Sequence, residues 1–166
     1  VTALLAERAS GPGVHFKAHR SGNEITEGRL AEIPVTLARP RSYMNLSGRP
    51  VAALLAFYKI PPERLVVIHD ELDAPFGALR LKLGGGDNGH NGLRSITQAL
   101  GSREYYRVRF GIGRPPGRMD TAVYVLRDFS AAERKDLPLL VDRCADATET
   151  LITKGLAVAQ NIYHTD

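Results

Sequence analysis

Cysteine is nearly absent from this chain. Cys144 is the only one, so no disulfide can form within it, and a reducing cytoplasm is its expected setting. Long apolar runs are missing as well. No stretch approaches the ~18 apolar residues of a membrane helix, and Val1–Arg8 lacks the charged-then-apolar form of a signal peptide. No membrane partner is expected. Repeats, low-complexity tracts and linkers are also lacking, so the 166 residues are expected to form one layered domain spanning 1–166, with a core of its own. The glycine-rich stretch has no Gly-Lys-Ser or Gly-Lys-Thr of a P-loop, and its spacing is not that of a dinucleotide fingerprint.

What is present is ordinary for a globular domain, with 43% apolar and 24% charged residues. The formal net charge is +4, and it is unevenly spread. Arg103, Arg107, Arg109, Arg114 and Arg118 are opposed in their window only by Glu104, so that window alone carries as much net charge as the whole chain. Clustered arginine suits bidentate recognition of phosphate. A solvated basic face is the equally ordinary alternative.

Val1–Arg8 has helical character but no N-terminal cap of its own. A strand is expected around Val35–Ala38. The i, i+3, i+4, i+7 spacing of Val51, Leu54, Leu55 and Tyr58 predicts a helix after it, with Ser47 as its cap. Leu65–Ile68 is a continuous apolar run, expected of a strand covered on both faces. Leu79, Leu81 and Leu83 alternate with Arg80 and Lys82, and Tyr106, Val108, Phe110 and Ile112 with Arg107 and Arg109. This predicts two strands, each with a cationic open face. Leu93, Ile96, Thr97 and Leu100 restore helical spacing. Ser130-x-x-Glu133 is a capping box, opening a long helix with Leu137, Leu140, Val141, Cys144, Thr148 and Leu151 on one side. Loops are expected at Ser10–Gly13, Gly84–Gly92 and Gly113–Gly117. The alternation of strands and helices predicts a single layered α/β domain, a mixed β-sheet flanked by helices.

Four motifs carry candidate chemistry. Arg39-Pro-Arg-Ser-Tyr-Met-Asn-Leu-Ser-Gly48 places Tyr43 and Asn45 at a strand-to-helix turn, where scaffolds present functional groups. Asn45 could grip an ester carbonyl, or it could merely cap the helix. His69-Asp-Glu-Leu-Asp73 closes the buried strand, beyond whose carboxyl end ligands bind in open α/β sheets. Asp70 could orient a histidine by accepting its ring N–H. A metal site built on His69, Asp70, Glu71 and Asp73 competes with that assignment, but neighbours on a strand point to opposite faces. For Glu71 and Asp73 the expectation is solvation. Lys82-Leu-Gly-Gly-Gly-Asp-Asn-Gly-His-Asn-Gly92 is either a flexible connection or a loop that holds a phosphate at a helix N-terminus. Tyr106-Arg-Val-Arg-Phe-Gly-Ile-Gly-Arg-Pro115 would set Arg107 and Arg109 on neighbouring phosphates.

In this order the four motifs closely resemble those of bacterial peptidyl-tRNA hydrolases, with an actinobacterial character at Arg114-Pro-Pro-Gly-Arg118. The resemblance covers essentially the whole chain. It implies a cytoplasmic, monomeric esterase that frees tRNA from peptidyl-tRNA, gripping its acceptor stem and 3′ end and needing no cofactor or metal. It assigns Asp70 to orienting the histidine base, and Asn45 to binding substrate and positioning the water. Asn91 would hydrogen-bond the peptidyl or tRNA end, Tyr43 and His90 would line the cleft, and Lys82 and Arg109 would clamp phosphates. The family opens with a strand ending in Gly-x-Gly-Asn-Pro-Gly and with an Arg-His-Asn motif that supplies the base. Neither occurs in these residues, so a truncated chain is expected, and neither His15 nor His19 is promoted to that role. A non-catalytic RNA-binding module on the same scaffold is the alternative, and a metal-dependent hydrolase using His69, Asp70, Asp73 and His90 a third.

Overall fold

The computed structural model describes residues 1–113 and 129–164; of the expected Gly113–Gly117 loop all but Gly113 lies outside them, as does Arg118. Two compact units emerge, Val1–Val67 with Lys82–Arg107, and Ile68–Leu81 with Val108–Asp166.

In the first unit, helix α1 (Thr2–Ser10) packs on an antiparallel sheet of β1 (Lys17–Ala18), β2 (Asn23–Leu30) and β3 (Ile33–Pro40), in the order β1-β2-β3. The expected strand at Val35–Ala38 is the middle of β3. Its partner β2 was not foreseen. Leu30 pairs with Ile33 across a two-residue turn, Ala31-Glu32, in which both residues have positive φ. Such turns ordinarily use Asn-Gly or Asp-Gly; here Arg29 Nη1 donates to the Glu32 carbonyl at 2.9 Å and ties the loop.

Helices α2 (Gly48–Tyr58) and α3 (Asn91–Leu100) pack together in the same unit. Their apolar stripes meet in a core of Leu93, Ile96 and Tyr105, flanked by Val51, Leu65, Val67 and Leu100. Tyr105 is fully buried, and its hydroxyl is satisfied by Thr97 Oγ1 at 2.9 Å, as a buried phenol requires.

Strands β4 (Val66–Glu71), β5 (Leu79–Leu83) and β6 (Tyr106–Gly111) form the second sheet in the order β4-β6-β5. The Tyr106 amide bonds to Leu65 O and the Ile112 amide to Glu71 O, so β6 and β4 advance in parallel. The Gly77 amide bonds to Gly111 O and the Gly84 amide to Tyr105 O, so β5 and β6 run antiparallel. The sheet is therefore mixed, as expected. Val66–Ile68 are half-buried rather than covered, and β4 ends the strand order among the described residues.

In the second unit, α4 (Ala131–Lys154) begins at the predicted capping box. The Glu133 amide donates to Ser130 Oγ at 3.1 Å, and the Ser130 amide to Glu133 Oε1 at 2.8 Å. Its Cys144, Thr148 and Leu151 are buried, with Ala145 and Ala147 beside them. Desolvation pushes the Cys144 thiol up to about 11. A further helix, α5 (Leu156–Tyr163), follows after Gly155. No described helix is long and apolar enough to cross a membrane.

One expectation about β6 fails. Arg107 is 2% exposed and Val108 0%, so the strand has no open cationic face. Alternation sorts side chains onto two faces; it does not say whether either is covered. β6 is the middle strand, and both of its faces are buried around Arg107 and Val108.

Candidate functional site

The turn between β3 and α2 is a 3-10 segment, Met44–Leu46, with Tyr43 at its N-cap position. Tyr43 is 83% exposed, and Asn45 is exposed as well. Asn45 caps no helix. Ser47 holds the N-cap position of α2 but does not cap it, contrary to expectation; its hydroxyl donates to Met44 O at 2.8 Å. The first amide of α2 is satisfied from another helix, Gly48 N donating to Ser95 Oγ at 2.8 Å.

That contact requires glycine. A Cβ on Gly48 would sit 2.0 Å from the Ser95 carbonyl oxygen, well inside van der Waals contact. On α3, a Cβ at Gly92 would meet the His90 ring first, 2.8 Å from Cε1, and then the Met44 side chain, 3.0 Å from Cγ. The two glycines let the Met44–Leu46 turn lie against α3, which brings Asn45 beside the helix whose first residue is Asn91. Asn91 is exposed.

His90 is the N-cap of α3, its Nδ1 accepting the Leu93 amide at 3.1 Å. The neutral ring then carries its proton on Nε2, so a capping His90 can donate but has no free lone pair with which to act as base. The glycine loop ahead of it is built rather than loose. Asp87 Oδ1 accepts the Gly89 amide at 3.0 Å, and the Asp87 carbonyl accepts the His90 amide at 2.8 Å. The Gly89 amide, with Arg94 at 3.5 Å, holds the Asp87 carboxyl below the usual range. Arg107 reaches the loop from beneath, Nη2 donating to Gly85 O at 2.8 Å and Nη1 to Gly86 O. Lys82 is exposed.

Asp70 and Arg109 belong to the second unit. His69 and Glu71 share one face of β4 and are both buried, while Asp70 is half-buried on the other. His69 Nδ1 lies 2.8 Å from the Asp70 carbonyl, which can only accept, so that nitrogen carries the proton. Glu71 is not solvated as expected. Its Oε2 accepts both Nε and Nη2 of Arg109, at 2.9 and 2.7 Å, and its Oε1 accepts the Asp73 amide at 3.2 Å. Asp73 is exposed. The sequence signal for the Glu71 pair was weak, since the partners are 38 positions apart and only the strand order sets them side by side.

The peptidyl-tRNA hydrolase family model matches residues 2–166. The chain belongs to this family. A Frankia alni peptidyl-tRNA hydrolase is 64% identical over 164 residues, which is 99% of this chain and 82% of that protein. The Mycolicibacterium smegmatis member is 58% identical over 165 residues, 99% of this chain and 85% of its own. The crystal structure of Acinetobacter baumannii peptidyl-tRNA hydrolase superposes with a TM-score of 0.89 at 31% identity, covering 99% of this chain and 82% of that one.

Asn45 and Asn91 carry exposed amides that can both donate and accept, and Lys82 is an exposed cation. Among the described residues no group of three or more His, Cys, Asp and Glu side chains is arranged to hold a metal ion.

Proposed function

We propose that the chain hydrolyses the ester joining a peptidyl or N-blocked aminoacyl group to the 3′ end of tRNA, acting as a cytoplasmic monomer in translation. Water adds to the ester carbonyl, the bond to the ribose oxygen breaks, the peptide leaves with a free carboxyl group, and the ribose recovers its hydroxyl. The observation that carries this reading is the seating of the Asn45 turn against the N-terminal end of α3 through Gly48 and Gly92. It is supported by the family and by the names of its members at up to 64% identity.

In this reading Asn45 binds the ester and positions the water, and Asn91 and the ring N–H of His90 bond the substrate end, with Tyr43 beside them. Asp70 orients the imidazole of the general base, stabilising its charged form. That base is neither His90, whose Nδ1 caps α3, nor the buried His69. By the resemblance, the family's base is the histidine of an Arg-His-Asn segment, and residues 1–166 contain no such motif. Lys82 is the main phosphate contact. Arg109 is a weaker one, because Glu71 already holds two of its donors. The RNA-binding alternative drew on the missing base and on the arginine cluster, and two of that cluster's arginines, Arg107 and Arg109, are engaged internally.

The test is cleavage of N-acetylated against unblocked aminoacyl-tRNA. Val1–Asp166 preceded by such a segment is expected to cleave only the blocked ester, and Val1–Asp166 alone to be inactive. Tight binding of tRNA without cleavage in the longer form would overturn the assignment.

A further inference from the structure

Arg107 has no place in the chemistry just described, yet it is the most buried cation in the first unit, 2% exposed. Its guanidinium lies over the Tyr105 ring, 4.6 Å from the centroid, and its Nε has no partner among the described residues. Burying a charge is costly unless its donors are used. The two terminal nitrogens of Arg107 donate to two consecutive backbone carbonyls, Nη2 to Gly85 O and Nη1 to Gly86 O. A planar fork can hold two adjacent carbonyls in fixed relation, whereas a lysine ammonium is a single point.

Those carbonyls begin the loop that ends in the site. Gly84 and Gly85 have φ of 72° and 102°, and Asn88 and Gly89 have 50° and 77°, so the path depends on several left-handed residues. A chain of this kind has many alternatives. Its far end is tied by Asp87 and by the His90 cap. Its near end is tied by the Gly84 amide on Tyr105 O, at 3.0 Å, and by Arg107.

We infer that Arg107 is a positioning residue that sets the conformation of the glycine loop and, through it, the placement of His90 and Asn91 on the substrate ester. The second half rests on the roles given to those two residues above; the first half does not.

Arg107→Lys keeps the charge and loses the fork, and Arg107→Ala opens a space that free guanidinium can enter. Amide exchange of Gly85–Asn91 is expected to accelerate about tenfold in either variant while β2 and β3 keep their protection. In the form of the protein that cleaves N-acetylated aminoacyl-tRNA, kcat should fall by about 100-fold through misplacement of the site, with tRNA affinity nearly unchanged. Added guanidinium should restore turnover and loop protection to Arg107→Ala but not to Arg107→Lys. Unchanged loop exchange, or an acceleration spread evenly over the protein, would overturn the loop role. A loosened loop with full kcat would overturn the positioning role. If wild-type protein cleaved no blocked ester, the proposed function would fail, while the exchange data would still decide what Arg107 does.

Discussion

At the scale of single residues, the deciding question is whether a charge meets solvent or another charge. Arg109 directs two donors to one oxygen of Glu71, which is 6% exposed. Removing one partner of a buried pair leaves the other desolvated and unpaired, which costs more than the pair contributes. Arg109→Ala is therefore expected to lower unfolding free energy by about 3 kcal/mol, read from urea denaturation. Replacing both residues with apolar ones of similar volume should cost much less. Equal losses in the single and double variants would mean that the pair does not carry the effect. The alternation of Arg107 and Arg109 with apolar residues was plain in the sequence, as was their shared face. That Glu71 and the loop carbonyls cover that face was not, because both partners come from distant positions.

At the scale of elements, the C-terminal helix does something that periodicity does not reveal. Leu81 lies on β5, at one end of the strand order β4-β6-β5. Its amide donates to His164 Nε2 at 2.7 Å, and its carbonyl accepts from Gln160 Nε2 at 3.0 Å. Two side chains thus close the edge where a further strand would pair, a recognised way to protect an exposed edge. To accept, His164 must be neutral at Nε2, and burial, then the nearby Arg80 charge, lower its pKa. A histidine whose folded pKa lies below its unfolded value binds fewer protons when folded. Its contribution to stability is therefore complete above the unfolded pKa of about 6.5 and is lost as pH falls through the folded value. Protection of the Leu81 amide should drop over that acid range in wild type and stay level in His164→Gln. A pH profile shared by both would show that another group is responsible. The elements themselves were legible to different degrees. α3 and the α4 capping box follow from local pattern, whereas β2 was missed because it is polar and its turn, Ala31-Glu32, carries none of the usual turn residues.

For the molecule as a whole, the proposed substrate is a polyanion, so the exposed cations are the groups to test. Arg107 and Arg109 are engaged internally, while Lys82 is exposed on β5. Lys82→Ala is therefore expected to weaken tRNA binding uniformly across sequences and to reduce the slope of log K against log salt by about 1. An unchanged slope in filter binding would remove Lys82 from the interface. The sequence by itself determined the mixed α/β class, the family and the polar residues offered as a site, because propensity, hydrophobic period and motif order are properties of neighbours along the chain. Only tertiary structure decided which cations are free. It buried Arg107 under a glycine loop, paired Arg109 with Glu71, and set the Asn45 turn on α3 through Gly48 and Ser95. The physical reason is common to all three: a charge or a close approach is settled by whatever lies across the gap, and that comes from residues far away in sequence.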